Sequence, residues 1–405
     1  MLIILSTHPI QYQIPLWRAL AASGQVPFEV WYLSDHGVRQ SYDVEFGKTF
    51  SWDLEMLEGY PHRFLNRDPS VKVNEFWSAG LPESFHQLLA DNPVSAIWVQ
   101  GWQVRAYWQA IAAAHKRGIA VWLRGESNDL ATTKPLKRIA KRLALGWLFQ
   151  KVSWFLCIGT ANARLYAQYG VGAERMKQAP YCIDNARFAA QANMLRPQRN
   201  AIRQRWGIPQ DAFCPLFVGK FIPKKRPLDL LAAAKRLGGH LDGIPLHPLF
   251  VGSGELGPAL RAACQVSFDA ETEGASSTAV KQQADLPHAS FAGFLNQTEV
   301  SAAYVAADCL VLPSDSNETW GLVVNEAMAS GLPCIVSDAC GSGADLVAPL
   351  QAKSVFALGS IDGLIAALRV AASDPIDPAR LWQQVERFNP QVSIDTVIEL
   401  HRAGA

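Results

Sequence analysis

The sequence predicts an α/β protein built from two Rossmann-like, doubly wound domains that face each other across a cleft. Short apolar runs alternate with helical stretches along most of the chain, and this rhythm breaks once, near residue 190. The length of 405 residues suits two domains of ordinary size. Hydrophobic residues make up 49% of the chain and charged residues 18%, which is enough apolar material for two cores and argues against disorder.

The first half of the chain carries one series of βα units. Strands are predicted at residues 2–6, 28–33, 96–100, 120–124 and 154–159, with helices at residues 14–21 and 104–116. We expect this series to form a first domain, residues 1–190.

A second βα series follows a polar break at residues 181–200. Its strands are predicted at residues 215–218, 247–251, 289–292, 309–313 and 333–337, with helices at residues 228–236 and 301–307. Residues 270–287 are interpreted as a surface insertion. We expect a second domain at residues 191–385 and a C-terminal segment, residues 386–405, that packs back on the first domain.

Composition indicates where the protein works. The net charge of +1 gives no indication of a nucleic-acid partner. The seven cysteines are scattered and form no C-x-x-C pair, which favours reduced core thiols in a cytosolic protein over a zinc site. No apolar run approaches the roughly 18 residues of a spanning helix, and the N-terminus lacks the basic flank of a signal peptide. We expect a cytoplasmic protein, or one held peripherally at the cytoplasmic membrane.

Residues 134–152 predict a basic amphipathic helix. Its basic side chains fall broadly on one side: Lys134, Lys137, Arg138, Lys141 and Arg142. Its apolar side chains fall on the other: Leu136, Ile139, Ala140, Leu143 and Trp147. One hypothesis is a helix that lies on the anionic inner leaflet of a membrane. The alternative is a solvated helix whose apolar stripe packs on the domain core. Leu145 falls among the basic residues and weakens the amphipathic pattern.

Two loops of the second series follow predicted strands and could meet an anionic ligand. The first contains Gly219, Lys220 and Lys225, where glycine lets the backbone approach a ligand and both lysines could reach one diphosphate. The second is a glycine-rich turn that contains Gly252. Ligands of open α/β sheets bind beyond the carboxyl ends of the strands, where such loops lie.

Residues 314–331 carry the most specific pattern. A polar loop leads to a helix that begins near Leu322 and ends before Gly331, and the N-terminus of such a helix suits a phosphate. Glu318 lies in the loop, and Glu326 lies inside the helix with seven residues between them. Carboxylates accept hydrogen bonds from vicinal hydroxyls, so both suit a sugar or a ribose.

This segment resembles the paired-glutamate signature of retaining glycosyltransferases with the GT-B fold, family 4 (group 1). The resemblance extends over residues 205–370 and includes the lysine loop, the glycine-rich turn, residues 291–294 and residues 341–345. It implies that Lys220 and Lys225 bind the donor diphosphate, next to Gly219 and Gly252. It also implies that Glu326 holds the ribose and that Glu318 contacts the transferred sugar. The remaining implied donor contacts are the backbone N–H groups of Trp320, Gly321 and Leu322, with Gly293 and Phe294 against the base.

The resemblance implies a retaining, metal-independent transfer, with no cofactor, from a nucleotide sugar, a UDP-sugar first. The acceptor would be a glycan or a lipid-linked glycan in the synthesis of surface polysaccharide or a glycoconjugate. Two alternatives stay open: a sugar-nucleotide epimerase of the same fold, and a non-catalytic binding subunit. A dinucleotide-dependent dehydrogenase is disfavoured because residues 6–11, after the first strand, contain no glycine.

The first domain offers three candidates for a catalytic role. His8 follows the first strand, and Arg124 and Glu126 lie at the end of the predicted strand 120–124. Trp102 and Arg105 follow the strand 96–100 and are candidates for acceptor binding. The loop of residues 45–53 mixes aromatic and charged side chains, and we expect it to serve the acceptor as well.

Overall fold

The computed structural model describes residues 1–38, 41–43, 45–66, 75–130, 135–271 and 285–404. The chain divides into two compact units. Unit 1 comprises Met1–Ser41, Leu54–Asp184 and Phe388–Ala405, and unit 2 comprises Tyr42–Asp53 and Asn185–Arg387. Lys134 and most of the expected surface insertion lie outside the described residues.

Among the described residues, the first half of the chain contains the strands of the unit 1 sheet and one further strand pair. They are β1 (Leu2–Ser6), β2 (Phe28–Tyr32), β3 (Ser41–Asp43), β4 (Lys48–Phe50), β5 (His62–Phe64), β6 (Ala96–Val99), β7 (Ala120–Leu123), β8 (Trp154–Cys157) and β9 (Met176–Gln178). Seven of them form a parallel sheet in the order β5-β2-β1-β6-β7-β8-β9, and β3 pairs with β4. The strand order reverses between β1 and β6.

Helices cover this sheet and complete its core. They are α1 (Ile14–Ser23), α2 (Ser84–Asp91), α3 (Arg105–Lys116), α4 (Pro135–Phe149) and α5 (Thr160–Gln168). The strands are apolar because the fold buries them. Ile97 and Val99 of β6, for example, are buried in one core cluster with Ala110 of α3. Burial of such side chains from both layers is the main stabilising contribution to the unit.

Unit 2 repeats the architecture. Its strands are β10 (Pro215–Val218), β11 (His240–Leu241), β12 (Ile244–Pro245), β13 (Leu249–Val251), β14 (Gln265–Asp269), β15 (His288–Gly293), β16 (Cys309–Leu312), β17 (Cys334–Ser337) and β18 (Val355–Phe356). The main sheet is parallel, in the order β14-β15-β13-β10-β16-β17-β18, and β11 pairs with β12 in an antiparallel hairpin. The order reverses between β10 and β16, so the loops after these two strands flank the switch point.

The remaining helices follow in chain order. They are α6 (Asn185–Leu195), α7 (Arg199–Arg205), α8 (Leu228–Arg236), α9 (Gly257–Ala262), α10 (Ser301–Ala306), α11 (Leu322–Ala329), α12 (Ile361–Ser373), α13 (Pro378–Val385) and α14 (Pro390–Arg402). The side chain of Asn389 caps α14 by accepting from the N–H of Val392 at 3.2 Å. Helix α14 belongs to unit 1, where Lys177 on β9 pairs with Glu399 at 2.7 Å.

The strands and helices that the sequence predicts are present, and the fold class is confirmed. The unit division differs from the expected one in three places. The boundary between the two units falls between Asp184 and Asn185 rather than at residue 190, and the C-terminal part of unit 1 begins at Phe388 rather than at residue 386. The segment Tyr42–Asp53, expected in the first domain, belongs to unit 2. All seven cysteines are free and buried.

Helix α4 buries a different face from the one that the alternative hypothesis requires. Its core contacts are Leu145, Leu148 and Phe149, which are at most 3% exposed. The stripe of Ile139, Leu143 and Trp147 is instead 59%, 72% and 51% exposed. The expectation that this stripe packs on the core is therefore wrong. Within the described parts of the chain, no helix is long and apolar enough to cross a membrane.

Candidate functional site

The loops that follow β10 and β16 meet at the switch point of unit 2. Lys225, in a short 3-10 turn after β10, forms an ion pair with Glu318 in the loop after β16. Both side chains are largely buried, at 16% and 13% exposure. The backbone N–H of Asp315 donates to the carbonyl of Lys224 at 2.8 Å and ties the two loops together. A cation and a carboxylate, both predicted to bind the donor, are thus held in contact.

Three glycines allow the backbones at neighbouring strand ends to approach each other closely. Gly219 and Gly252 directly follow β10 and β13, Gly293 ends β15, and all three have positive φ angles. The N–H of Gly252 donates to the carbonyl of Gly293 at 2.8 Å. A Cβ at Gly252 would lie 2.0 Å from the carbonyl oxygen of Gly219, so no other residue fits without moving the backbone.

The N-terminus of α11 is fixed by the residues before it. Gly321 has a φ of +90°, and a Cβ there would lie 2.6 Å from the side chain of Leu312. Trp320 is 2% exposed, and its indole Nε1 donates to Asn325 Oδ1 at 2.9 Å. Its carbonyl accepts from the N–H of Ser342 at 3.0 Å. Trp320, Gly321 and Leu322 therefore hold the positive end of the helix dipole in a defined place.

Glu326 lies deeper than Glu318 and has a different partner. It is 1% exposed, and its Oε2 accepts from the hydroxyl of Tyr304 on α10 at 2.5 Å. Sequence reasoning missed Tyr304, because no motif links it to a glutamate 22 positions later. The two glutamates are thus positioned separately, Glu318 by Lys225 and Glu326 by Tyr304.

Lys220 contacts a segment that the sequence placed elsewhere. We call Tyr42–Asp53 the strap. Lys220 Nζ lies 3.0 Å from Asp43 Oδ2 and 2.6 Å from Glu45 Oε2, and 4.9 Å from the ring centroid of Phe46. The phosphate lysine predicted from the sequence is therefore paired with two carboxylates of the strap.

The strap also covers the glycine-rich turn and the predicted base contact. Ser253 Oγ donates to the carbonyl of Phe46 at 2.8 Å, and the rings of Phe46 and Phe294 meet edge to face at 5.1 Å. The only sequence signal was the mixture of aromatic and charged residues in this loop. Nothing local indicated contacts with residues about 200 positions away.

The sequence predicts that no metal ion takes part in the reaction. Among the residues that the structure describes, no group of three or more His, Cys, Asp or Glu side chains could hold a metal ion. The independence of metal stays a prediction.

In unit 1, His8 lies just beyond β1. Its Nδ1 is 2.9 Å from Thr7 Oγ1, and its ring meets that of His36 at 5.1 Å. Burial, with a smaller effect of His36, lowers the pKa of His8 to about 3. His8 is therefore neutral at neutral pH and can donate or accept a hydrogen bond without carrying charge.

Arg124 and Glu126 both contact Tyr181. Arg124 is 1% exposed and donates to the carbonyls of Ala179 and Pro180 at 3.1 and 2.9 Å. Its guanidinium lies 5.1 Å from the centroid of the Tyr181 ring, and the Tyr181 hydroxyl hydrogen-bonds to Glu126. Arg124 thereby fixes the chain after β9. The catalytic roles of His8, Arg124 and Glu126 stay predictions.

Trp102 and Arg105, the predicted acceptor contacts, lie before and at the start of α3. The Trp102 ring packs against Phe149 at 5.5 Å and Tyr166 at 6.3 Å, so it contributes to the core. Arg105 is exposed. Their role in acceptor binding stays a prediction.

Comparison with known proteins gives a family match over the part of the chain that contains these loops. Residues 198–388 match the family model described as glycosyl transferases, group 1. The chain is 33% identical over 181 residues to a D-inositol 3-phosphate glycosyltransferase of Geodermatophilus obscurus. That alignment covers 43% of this chain and 35% of the relative, so the chain spans about a third of the relative's length.

Two solved structures match over nearly the whole chain. A glycosyltransferase from Rickettsia africae has a TM-score of 0.68 at 12% identity, over 100% of this chain and 98% of its own. HepE from Anabaena, in complex with UDP and glucose, has a TM-score of 0.62 at 14% identity, over 99% of both chains. These similarities are to the fold. Residues 198–388 are thus similar to the group 1 glycosyl transferases, and the two doubly wound sheets match the GT-B fold of the solved glycosyltransferases.

Proposed function

We propose that the chain is a retaining glycosyltransferase that moves a sugar from a nucleotide sugar to a hydroxyl group of a glycan or lipid-linked acceptor. The observation that carries the proposal is the contact of Lys225 with Glu318 at the switch point of unit 2, beside the N-terminus of α11. This arrangement combines a cation and a helix dipole for phosphate with a carboxylate for sugar hydroxyls.

A UDP-sugar is the donor that we propose first. Support comes from the similar fold of HepE, which is in complex with UDP and glucose. In this proposal Glu326 binds the ribose hydroxyls, while Gly293 and Phe294 lie against the base. Glu326 is fixed by Tyr304, so it would need little reorganisation on binding.

The proposed chemistry needs a stabilised leaving group more than a strong base. The bond from the anomeric carbon to the diphosphate breaks, and its electron pair stays on the phosphate oxygen. Lys225 and the N–H groups at the start of α11 stabilise that charge. The acceptor oxygen forms the new bond on the same face, and its proton passes to a phosphate oxygen. No metal enters this scheme.

Two other functions fit the same fold. A sugar-nucleotide epimerase would change the donor without transfer, and a non-catalytic subunit would bind it without turnover. The family match over residues 198–388 favours the transferase. The place of both lysines and both glutamates in the donor half supports turnover rather than binding alone.

The test is a donor panel with product analysis. Wild-type protein is incubated with UDP- and GDP-linked sugars and with glycan and lipid-linked acceptors, and free nucleoside diphosphate and product mass are measured. We expect release of the diphosphate together with a glycosylated product of retained configuration. Formation of an epimeric nucleotide sugar would support the epimerase instead. Binding without release from any donor would support the non-catalytic subunit.

We further propose that the protein works in the cytoplasm, at the inner leaflet of the membrane, and that α4 contacts anionic lipid. The exposed stripe of Ile139, Leu143 and Trp147 lies on the same helix as Arg138 and Arg142, which are also exposed. Trp147 stacks on Trp108 at 6.3 Å and so extends this apolar surface. An apolar stripe flanked by cations suits the boundary of an anionic bilayer.

A further inference from the structure

The strap rests on three of the loops that the proposed donor would occupy. Asp43 and Glu45 pair with Lys220 after β10. The carbonyl of Phe46 accepts a hydrogen bond from Ser253 in the turn after β13. The Phe46 ring packs on Phe294 after β15. The strap thus touches the ends of three adjacent strands of the unit 2 sheet.

These contacts reproduce the chemistry of the proposed ligand. Two carboxylates surround the ammonium of Lys220, with oxygens at 3.2, 3.0 and 2.6 Å. An aromatic ring lies beside them against Phe294. A nucleoside diphosphate offers the same pair of groups, adjacent anions linked to an aromatic base. The strap therefore places like groups where the donor's groups would bind.

Among the described residues of the loop after β10, each lysine lies beside a carboxylate while the strap is seated. Lys220 faces Asp43 and Glu45, Lys225 faces Glu318, and Lys224 lies 3.9 Å from Glu45. A diphosphate that approached Lys220 would meet the carboxylates of Asp43 and Glu45 and be repelled by them. Donor and strap acids cannot share this lysine.

The far end of the strap is held by separate contacts. Asn296 Nδ2 donates to the carbonyl of Ser51 at 2.9 Å, and the N–H of Thr298 donates to Asp53 Oδ2 at 3.1 Å. These contacts involve neither Lys220 nor Phe294. The part of the strap that carries Asp43, Glu45 and Phe46 can therefore leave the site while the contacts of Ser51 and Asp53 persist.

We propose that the strap is an autoinhibitory occupant of the donor site. Binding of a nucleoside diphosphate displaces Asp43 and Glu45 from Lys220 and Phe46 from Phe294, and the strap returns when the diphosphate leaves. This inference rests on the proposed function, because it requires a donor at these loops. Its direct consequence is that the acids of the strap weaken donor binding.

The test uses UDP as the probe and the full-length protein. Calorimetric titration gives the Kd of UDP for wild type, for the double variant Asp43→Asn with Glu45→Gln, and for a matched control, Glu55→Gln with Glu58→Gln. The control acids are exposed and lie just beyond the strap. We expect the strap variant to bind UDP about 5- to 10-fold more tightly, because one or two partly exposed ion pairs no longer compete with UDP. The control should match wild type.

Hydrogen exchange distinguishes displacement of the strap by UDP from closure of the strap over UDP. Peptides that cover residues 45–50 should exchange faster when UDP is bound to wild type, because their contacts with Lys220, Ser253 and Phe294 are lost. Slower exchange, or weaker binding by the strap variant, would show that the strap closes over the donor and would overturn the inference. Equal Kd values for wild type and strap variant would overturn it too, while leaving the donor site intact. Absence of UDP binding in every protein would overturn the proposed function and the inference with it.

Discussion

At the residue scale, the contact between Lys225 and Glu318 explains how the loops after β10 and β16 can act on one ligand. Each side chain is largely buried, so neither is well solvated when the partner is removed. When the donor binds, Lys225 would exchange its contact with Glu318 for a contact with a phosphate. Glu318 would bind a sugar hydroxyl instead. The ion pair keeps both groups aligned until then.

We predict that Lys225→Ala lowers the kcat of sugar transfer about 10²- to 10³-fold, because the charge that develops on the leaving phosphate loses a preorganised cation. Steady-state release of nucleoside diphosphate measures this effect. The control is Lys235→Ala, which removes an exposed lysine on α8 of the same unit. Equal kcat values for Lys225→Ala and wild type would remove Lys225 from the mechanism.

Glu326 should behave differently from Lys225. We predict that Glu326→Gln raises the donor KM about tenfold and changes kcat much less, because ribose hydroxyls lie far from the breaking bond and contribute equally before and in the transition state. Tyr304→Phe should raise KM by a smaller factor, since it removes only the hydroxyl that positions Glu326. A large loss of kcat at unchanged KM would contradict the assignment of Glu326 to the ribose.

The acids of the strap give a pH dependence whose direction can be worked out. A hydrogen bond from Lys220 holds the pKa of Glu45 below its ordinary value, against a smaller opposing effect of burial. Burial raises the pKa of Asp43, but hydrogen bonds from the Phe46 N–H and from Lys220 outweigh it and lower that pKa overall. Because both pKa values are lowered on folding, the stabilisation is present above the ordinary carboxyl pKa and is lost as pH falls through the lowered values.

We therefore predict that Asp43→Asn with Glu45→Gln lowers the Tm relative to wild type at about pH 6, and that this difference shrinks towards about pH 3. Thermal unfolding followed by circular dichroism at several pH values measures it. The control Glu55→Gln with Glu58→Gln should show no such trend. A Tm difference that grows on acidification would contradict the pairing of these acids with Lys220.

At the element scale, the sequence predicts the strands and helices that are fully buried or strongly amphipathic. β10 and α8 occur at the predicted residues, since an apolar run and a 3.6-residue periodicity leave little choice. β5 and α2 were not predicted. The His62–Phe64 strand has three residues, all partly buried, and α2 buries only Phe85 and Leu89. Short edge elements carry too few apolar residues to give a periodic signal.

Helix α7 is attached to unit 2 by an arginine that the sequence did not single out. Arg203 is 3% exposed and donates to the carbonyls of Ala306 and Ala212 and to Asp308 Oδ2, at 2.8, 3.0 and 2.7 Å. We predict that Arg203→Met lowers the free energy of unfolding by about 3 kcal/mol, because it leaves buried acceptors without a donor. Urea unfolding measures this. Arg205→Met, at an exposed position of the same helix, should change stability by less than about 0.5 kcal/mol.

The proposal of membrane binding rests on the exposed apolar residues of helix α4. We predict that replacing Ile139, Leu143 and Trp147 together by serine lowers binding to phosphatidylglycerol-containing vesicles about tenfold or more, because each exposed apolar side chain would be buried in the bilayer boundary. Vesicle co-sedimentation measures the bound fraction. The matched control replaces three exposed apolar residues of unit 2 by serine: Met194, Ile244 and Leu358. An equal loss in both triple variants, or no loss in either, would contradict a role for α4.

At the scale of the whole molecule, topology locates the proposed site. The sequence predicts two doubly wound sheets, and the reversal of strand order between β10 and β16 places the loop of Lys225 next to the loop of Glu318. That these two loops meet could therefore be predicted from spacing and motif. The strap could not, since its ion pair with Lys220 joins residues 177 positions apart and has no periodic or motif signal.

The central claim is that the loops after β10 and β16 bind the diphosphate of a nucleotide sugar. Calorimetric titration of UDP into wild type, Lys225→Ala and Lys235→Ala tests it most directly. We expect saturable binding to wild type, a Kd raised about tenfold or more in Lys225→Ala through loss of a charge-assisted contact, and no change in Lys235→Ala. The same Kd for all three proteins would show that UDP binds elsewhere and would contradict the claim.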